Sequence, residues 1–361
     1  MKIVCFYHSL VSDWNHGNAH FLRGIARELV ERGHEVVVYE PRDGWSLTNL
    51  RAEHGEEPLW AFRTFYPYLT SEFYDEARLD LDRILDGADV VLVHEWNSPE
   101  VVRLIGQHRR DQHYKLFFHD THHRAITDPA AISAFDLSQY DGVLAYGEAL
   151  RQVYLSHGWN AQKVWTWHEA ADTRVFHPRP DIPRTRDLIW IGNWGDEERT
   201  AELREFLIEP AERLRLTTTV HGVRYPAEAR AELKAAGIDF AGWLPNFRVP
   251  EVFAAHRVTV HVPRRPYLEA LPGIPTIRPF EALACGIPLI SAPWDDCEQL
   301  FAPGKDFLIA KNGREMQRQL RAVLSDKRMA RELAAHGRAT ILARHTCAHR
   351  VDQLLEIVRQ R

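Results

Sequence analysis

Residues 2–40, KIVCFYHSLVSDWNHGNAHFLRGIARELVERGHEVVVYE, decide the fold. They contain two short apolar runs, KIVCFY (2–7) and EVVVYE (35–40), which indicate strands buried on both faces. Between the runs, apolar residues recur at helical spacing over 21–30, and Gly33 follows as a helix C-terminal residue. A strand, a helix and a strand in this order predict a right-handed crossover between parallel strands.

The same alternation continues along the chain and then restarts. A segment over 172–186, rich in prolines and charges and without apolar periodicity, is typical of a linker. The length of 361 residues also suggests about two domains. The sequence therefore predicts an α/β protein with two doubly wound, Rossmann-like domains that face each other across a cleft. We expect the domains to span 1–171 and 187–345.

Two segments fall outside this alternation. Residues 41–75 are aromatic and show no clear period, so we interpret them as an irregular excursion over a sheet edge. The last residues, 346–361, have apolar side chains at helical spacing, and we expect this helix to pack on the first domain.

Composition limits the class of protein. The chain has 45 basic and 50 acidic residues, a net charge of −5, so no global positive charge favours nucleic acid or anionic lipid. The N-terminus lacks the basic region of a signal peptide, and no run reaches about 18 apolar residues. The four cysteines have no CxxC spacing. We therefore expect a cytoplasmic protein without a transmembrane segment, and we consider a nucleic-acid partner improbable.

The most informative stretch for function is HVPRRPYLEALPGIPTIRPFEALACGIPLISAPW (261–294). A strand ends in a basic loop, and a helix begins near Thr276, where unpaired N–H groups and the helix dipole can bind a diphosphate. Three nearby arginines add positive charge: Arg264, Arg265 and Arg278. Glu281 lies further along the helix, where its carboxylate can accept hydrogen bonds from two ribose hydroxyls. The alternative is a solvated helix residue beside a charged loop.

Residues 275–294, PTIRPFEALACGIPLISAPW, resemble the donor-binding helix of GT-B glycosyltransferases, in which a Glu precedes the pattern Ala-Cys-Gly-x-Pro. Other segments resemble the GT4-like, CgeB-like branch of retaining enzymes, named after spore-maturation proteins: 33–41, 119–124, 190–199, 220–226, 263–267 and 273–278. The resemblance covers nearly the whole chain. It implies an acceptor-side first domain and a second domain that binds the nucleotide sugar.

Carried over by position, the resemblance implies that Glu281 holds the ribose of the sugar donor. It also implies that the backbone at Thr276 and Ile277 meets the donor diphosphate. Gly192 corresponds to the glycine that faces the donor phosphates in the family, where a missing side chain permits close backbone approach.

The sequence departs from the family at two positions. Asn193 stands where many relatives have an arginine, so we assign the compensating charge to Arg265 or Arg199. Gly273 stands where relatives often have the first of two glutamates, so the contact of that glutamate to the sugar is missing or is made by another residue.

The first domain has its candidate residues at predicted strand ends. His119 and Asp120 follow the strand KLFFH, and the resemblance implies that His119 addresses the donor sugar; we predict a catalytic role for both. Gly17 lies in the loop that relatives bring against the donor, and His94 and Glu95 end another strand and suit an acceptor site. A buried hydrogen-bonded pair is the alternative for His94 and Glu95. The run HDTHHR could instead bind a metal or only form hydrogen bonds.

These features predict transfer of a sugar from a nucleoside-diphosphate sugar to a hydroxyl of a carbohydrate or other acceptor. The resemblance implies retention of anomeric configuration and implies no metal or other cofactor. Two alternatives stay open. One is a nucleotide-sugar epimerase or hydrolase on the same fold, and the other is a catalytically silent nucleotide-sugar-binding protein.

Overall fold

The computed structural model describes residues 1–159 and 163–360. These residues form two units. The first contains Met1–Glu169 together with the terminal segment from Cys347, and the second contains Ala170–Thr346. None of the helices in the described part of the chain has the length and apolar character needed to span a bilayer.

The first unit is built on a parallel sheet. Its strands in the described residues are β1 (Lys2–Phe6), β2 (Glu35–Pro41), β3 (Thr70–Tyr74), β4 (Val90–His94), β5 (Lys115–Asp120), β6 (Gly142–Ala145) and β7 (Val164–Thr166). They are ordered β3-β2-β1-β4-β5-β6-β7. The central strands β1, β4 and β5 are buried along almost their whole length, with apolar residues at their centres, as expected of strands covered on both faces.

Helices connect these strands. They are α1 (Ala19–Glu31), α2 (Trp45–His54), α3 (Glu57–Phe65), α4 (Leu81–Ile84), α5 (Pro99–Arg109), α6 (Arg124–Thr127), α7 (Pro129–Ser133) and α8 (Glu148–His157). The start of α5 shows how the sequence sets a helix end. Pro99 occupies the first turn, and the Ser98 hydroxyl accepts a hydrogen bond from the Val101 N–H at 3.2 Å.

The second unit also has a parallel sheet. Its strands are β8 (Arg186–Ile191), β9 (Thr218–His221), β10 (Asp239–Gly242), β11 (His256–His261), β12 (Leu289–Ser291) and β13 (Leu308–Ile309), in the order β10-β9-β8-β11-β12-β13. Its helices are α9 (Thr200–Leu203), α10 (Glu209–Leu214), α11 (Ala227–Ala235), α12 (Val249–Ala255), α13 (Arg265–Glu269), α14 (Ile277–Cys285), α15 (Gly313–Ser325) and α16 (Lys327–Arg344). A π-helical turn, Arg204–Ile208, joins α9 to α10.

The final helix, α17 (Cys347–Arg359), belongs to the first unit and packs on α1. Arg350 is buried in this contact and donates a hydrogen bond to the carbonyl of His168 at 2.9 Å. The Trp167 indole N–H donates to the carbonyl of Arg350 at 2.9 Å. These two bonds fix the returning helix against the segment that follows β7.

The predicted fold class is confirmed, since both units are parallel sheets flanked by helices. The prediction of an irregular segment over 41–75 is wrong, because this segment forms α2, α3 and the edge strand β3. The helical spacing of apolar residues is hard to recognise in this segment because two large apolar residues, Trp45 and Trp60, lie on the solvent side, with 53% and 64% of their surface exposed. Residues 172–186, expected to be a linker, lie within the second unit, where Val175 and Phe176 are buried.

Candidate functional site

In the second unit, the carboxyl ends of β8 and β11 lie side by side. From β8 the chain passes to β9 on one side of the strand, and β11 later pairs with the other side. Such a change of direction leaves a crevice at the carboxyl ends of the strands, where open α/β sheets bind their ligands. Gly192 and Asn193 follow β8, and Arg264 and Arg265 follow β11.

Arg199 holds the turn after β8. Its guanidinium donates to the Asn193 carbonyl at 2.9 Å, to the Asn193 side-chain oxygen at 2.6 Å and to the Val262 carbonyl at 3.2 Å. It also lies over the Trp190 ring, 5.1 Å from the ring centre. Burial, followed by the nearby Arg264 cation, lowers the pKa of Arg199 to about 9. The side chain therefore links the two strand ends and has most of its donors engaged.

Gly192 lies where two turns pack tightly. A Cβ at Gly192 would lie 2.8 Å from the Trp190 ring, and a Cβ at Gly222 would lie 2.1 Å from the carbonyl oxygen of Gly192. That carbonyl also accepts a hydrogen bond from the Tyr225 hydroxyl at 2.9 Å. The absence of side chains at Gly192 and Gly222 therefore permits the contact between the turns that follow β8 and β9.

The two arginines after β11 interact with the loop between β8 and α9. Arg264 pairs with Glu198 and donates to the Asn193 side-chain oxygen at 2.9 Å. Arg265 donates to the Glu197 carbonyl and lies 3.5 Å from a Glu202 carboxylate oxygen. The carboxylates of Glu198 in this loop and Glu202 in α9 thus compensate the charge of the predicted phosphate-binding arginines.

Helix α14 begins at Ile277 with Thr276 as its N-cap residue. The N–H groups of the first turn have no partners within a helix, and Pro279 contributes none. Immediately upstream, Gly273 has a φ of +85°, and a Cβ there would lie 2.5 Å from the Cys297 sulfur. The backbone therefore favours glycine at 273, where relatives often have a glutamate.

Glu281 lies in the second turn of α14 and is fully buried. Asn246 donates a hydrogen bond from its side-chain N–H₂ to Glu281 Oε1 at 2.8 Å. The other carboxylate oxygen is paired with the Arg278 guanidinium. A buried carboxylate needs such partners because the loss of hydration is costly.

His261 at the end of β11 links the sheet to the start of α14. Its Nδ1 lies 3.0 Å from the Ser291 hydroxyl, and its Nε2 lies 3.5 Å from the Thr276 hydroxyl. Because the Ser291 hydroxyl donates to the Ala292 carbonyl, the consistent pattern has His261 Nδ1–H donating to Ser291. Burial, followed by Arg199 and Arg278, lowers the pKa of His261 to about 3, so the ring is neutral.

In the first unit, hydrogen bonds of Arg23 and Asn18 hold the loop that contains Gly17. Arg23 of α1 is buried and donates to the Leu10 carbonyl at 2.8 Å and to an Asp13 carboxylate oxygen at 2.7 Å. The adjacent Asn18 donates to the Thr121 hydroxyl, just beyond β5, at 2.6 Å. The loop is thereby held near the carboxyl end of β5.

The four candidate residues at the ends of β4 and β5 lie together. His94 and His119 are paired in the sheet register, and all four side chains are at most 1% exposed: His94, Glu95, His119 and Asp120. His94 Nδ1 lies 2.8 Å from a Glu95 oxygen, and the Tyr7 hydroxyl lies 2.6 Å from His119 Nδ1. Asp120 accepts a hydrogen bond from the Tyr154 hydroxyl at 2.7 Å.

Burial disfavours the charged form of all four side chains in this cluster. It raises the pKa of Glu95 to about 8, and burial followed by the Glu95 charge raises that of Asp120 to about 7. Burial lowers the pKa of His94 and His119 well below the usual range. Protonated carboxyls and neutral imidazoles can each donate and accept hydrogen bonds, so the cluster suits neutral hydroxyl groups better than anions.

The HDTHHR run does not form a metal-binding cluster within the described residues, where no three His, Cys, Asp or Glu side chains converge to hold an ion. Three of its side chains contact different partners. His119 faces Tyr7, Asp120 faces Tyr154, and His123 Nδ1 lies 3.1 Å from the Thr127 hydroxyl.

Comparison with known families and structures agrees with this architecture. A family model described as Glycosyltransferase Family 4 matches residues 15–175, and one described as Glycosyl transferase-like matches residues 199–356. The protein has the GT-B glycosyltransferase fold. None of the curated proteins matches the sequence.

Three solved structures illustrate the similarity of this GT-B fold. Anabaena HepE in complex with UDP and glucose matches with a TM-score of 0.69 at 15% identity, covering 100% of both chains. Sucrose-phosphate synthase from Thermosynechococcus elongatus matches with a TM-score of 0.67 at 15% identity, covering 100% of this chain and 98% of that one. An alpha-glucosyltransferase in complex with UDP and a 13-mer DNA containing an HMU base matches with a TM-score of 0.71 at 10% identity, covering 100% of both chains.

In this GT-B chain, two site residues were not predicted from the sequence: Asn246, which contacts Glu281, and His261, which contacts Thr276. Asn246 belongs to the segment GWLPNFR, which mixes apolar and turn-forming residues and shows neither a motif nor a periodicity that would indicate a site residue. His261 ends a strand next to the predicted anion site, and its position was the only available clue. Tyr7 and Tyr154 were missed because they lie far in sequence from the residues they contact.

Proposed function

We propose that the protein transfers a sugar from a nucleoside-diphosphate sugar to an acceptor hydroxyl. The observation that supports this most directly is the arrangement of α14. Its N-terminus at Thr276 lies beside the carboxyl end of β11, and its second turn carries the buried carboxylate of Glu281. The diphosphate and the ribose are neighbouring groups of a nucleotide, and the N-terminus and the second turn are neighbouring parts of α14. One nucleotide can therefore contact both.

In the proposed reaction, the bond between the anomeric carbon and the diphosphate oxygen breaks, and a bond to the acceptor oxygen forms. Negative charge develops on the leaving diphosphate, and the N–H groups of Ile277 and Arg278 can stabilise it. The proton of the acceptor hydroxyl passes to the leaving diphosphate or to water, so that atoms and charge balance. We propose retention of configuration and membership of the CgeB-like branch, both on the resemblance of six segments to that branch: 33–41, 119–124, 190–199, 220–226, 263–267 and 273–278.

We assign the acceptor to the first unit. The neutral cluster of His94 and Glu95 can exchange hydrogen bonds with hydroxyl groups, and we propose that His119 and Asp120 act on the donor sugar. His119 Nε2 is buried and has no hydrogen-bond partner among the described residues. Neither a metal nor another cofactor is part of this proposal, and the free cysteines support a cytoplasmic location.

A nucleotide-sugar epimerase or hydrolase is the second candidate. The observation that favours it is the raised pKa of Glu95, about 8, and of Asp120, about 7. A protonated carboxyl at neutral pH can act as a general acid. In that case these residues would transfer protons instead of binding the acceptor.

The test begins with UDP-glucose, the donor named in a complex of the similar HepE, and continues with other nucleotide sugars. Calorimetry measures binding, and chromatography measures release of the nucleoside diphosphate with and without a panel of sugar acceptors. Glu281→Gln should weaken binding about 10- to 100-fold, because hydrogen bonds to a charged group contribute about 1.5–3 kcal/mol. Glu332→Gln, on the surface of α16, is the control, because its side chain is 69% exposed.

The outcomes separate the candidates. Acceptor-dependent release with a new glycoside supports transfer. Release or epimerisation without an acceptor supports the second candidate, and binding without turnover supports a silent nucleotide-sugar-binding protein. Equal affinity of Glu281→Gln and the unmutated protein would remove Glu281 from the donor site.

A further inference from the structure

Arg278 covers the carboxylate of Glu281. The two residues are three positions apart on α14, and their side chains form an ion pair. Glu281 has no exposed surface, whereas the Arg278 side chain retains 15% of its exposure. Arg278 therefore lies between the carboxylate and solvent, in the first turn of the helix.

This pair conflicts with a ribose contact in its present form. One Glu281 oxygen accepts from Asn246 and the other is taken by Arg278. Asn246 is itself 5% exposed and is enclosed by the protein. Because Glu281 has no exposed surface, a ribose that binds it must displace a neighbouring group, and we expect this to be Arg278, which is more exposed than Asn246.

The other arginines near the start of α14 are attached elsewhere. Arg199 joins Asn193 to Val262, and Arg264 and Arg265 contact the acidic loop between β8 and α9. Arg278 differs because its partner is the very carboxylate that a ribose would occupy. A ligand with both a ribose and a diphosphate could replace both partners: its ribose would bind Glu281 in place of Arg278, and its diphosphate would bind Arg278 in place of Glu281.

We propose that Arg278 exchanges partners when the sugar donor binds. The ribose hydroxyls take over Glu281, and the Arg278 guanidinium moves to the diphosphate, one turn away at the helix N-terminus. This inference rests on the proposed function. Guanidinium and phosphate form bidentate, charge-assisted hydrogen bonds, so the exchange keeps both charges paired.

The exchange has a consequence for recognition. A nucleoside offers a ribose but no anion for Arg278, so its binding leaves the displaced guanidinium unpaired. A nucleoside diphosphate satisfies both groups. Arg278 therefore selects diphosphates against nucleosides, beyond the simple attraction of opposite charges.

Calorimetry of the full chain with uridine, UMP and UDP tests this proposal, with the guanosine, adenosine and thymidine series measured in parallel. In the unmutated protein we expect UDP, or the preferred diphosphate, to bind at least 100-fold more tightly than its nucleoside. Arg278→Gln should weaken the diphosphate at least tenfold and leave the nucleoside equally or more tightly bound. Arg318→Gln, which removes a surface pair three residues apart on α15, should change neither affinity.

Several results would overturn the proposal. If Arg278→Gln weakens nucleoside and diphosphate by the same factor, Arg278 only supports Glu281. An unchanged affinity of Arg278→Gln for the diphosphate also contradicts the exchange of partners. In that case, diphosphate binding by the unmutated protein leaves the proposed function intact. If no nucleotide binds the unmutated protein, the proposed function itself fails. Arg278→Lys keeps the charge, and its affinity for diphosphate should lie between those of Arg278→Gln and the unmutated protein; thermal unfolding checks that each variant is folded.

Discussion

Replacement of Gly222 by alanine tests the packing of the two turns beside the proposed donor site. The new Cβ would lie 2.1 Å from the Gly192 carbonyl oxygen. Carbon and carbonyl oxygen approach no closer than about 3.3 Å in ordinary contacts, so the turns must separate by about 1 Å. Backbone atoms on both sides of the contact leave no side chain that could rotate away.

The expected loss of stability follows from two contributions. Overpacking costs about 1–3 kcal/mol. The separation also strains the hydrogen bond from Tyr225 to the Gly192 carbonyl, which is 2.9 Å long, and its loss costs about 1 kcal/mol. We therefore expect Gly222→Ala to lower the free energy of unfolding by about 2–4 kcal/mol.

Urea titration of the full chain, followed by tryptophan fluorescence, measures this loss, and calorimetry measures nucleotide affinity. Gly237→Ala is the control, because Gly237 has a φ of +72° but no atom within 4 Å of an added Cβ. It should lose about 1–2 kcal/mol from the backbone conformation alone and bind nucleotide normally. If Gly222→Ala unfolds within 0.5 kcal/mol of the unmutated protein and binds nucleotide equally well, the packing argument is refuted.

Three further predictions concern the first unit and the chemistry. Arg23→Met should lower the free energy of unfolding by about 3–5 kcal/mol, because it leaves Asp13 buried without its cation. Urea titration checks this against the control Arg27→Met, whose side chain is 22% exposed, and a loss below about 1 kcal/mol in Arg23→Met contradicts the reasoning. Burial lowers the pKa of His119 in the folded state, whereas in the unfolded state the imidazole gains a proton below about pH 6.5. The free energy of unfolding should therefore fall by about 1.4 kcal/mol per pH unit below that pH. His119→Gln should flatten the pH dependence of urea unfolding by that amount, and an unchanged slope would contradict the lowered pKa. Activity should be unaffected by EDTA, measured as nucleoside-diphosphate release, whereas loss that is restored by a divalent cation would indicate a metal requirement.

The central strands were predictable because they are buried on both faces. KIVCFY and ADVVLVH contain continuous apolar runs that form β1 and β4, whereas β2 in EVVVYE alternates between buried and more exposed residues but keeps a run of three valines. Strand β3 was missed because it lies at an edge and its residues alternate in exposure. The exposed Trp45 and Trp60 similarly hid the helices that precede it.

The start of α14 was predictable from local sequence, because a helix end depends on its neighbouring residues. The partners of Glu281 and Arg199 were not, because they come from distant segments. Asn246 lies 35 residues before Glu281, and Val262 lies 63 residues after Arg199. Such contacts depend on which strands become neighbours in the sheet, which periodicity alone does not specify.

The path of the chain also affects how the protein is made. The first unit is interrupted after Glu169 and is completed only by the segment that begins at Cys347. At about 5–20 residues per second, a ribosome needs on the order of ten seconds or more to synthesise the intervening residues. During this interval the apolar face of α1 that receives α17 has no covering helix, whereas the second unit can fold as one uninterrupted stretch. Chaperone binding to nascent chains should therefore concentrate on the face of α1 until α17 has been synthesised.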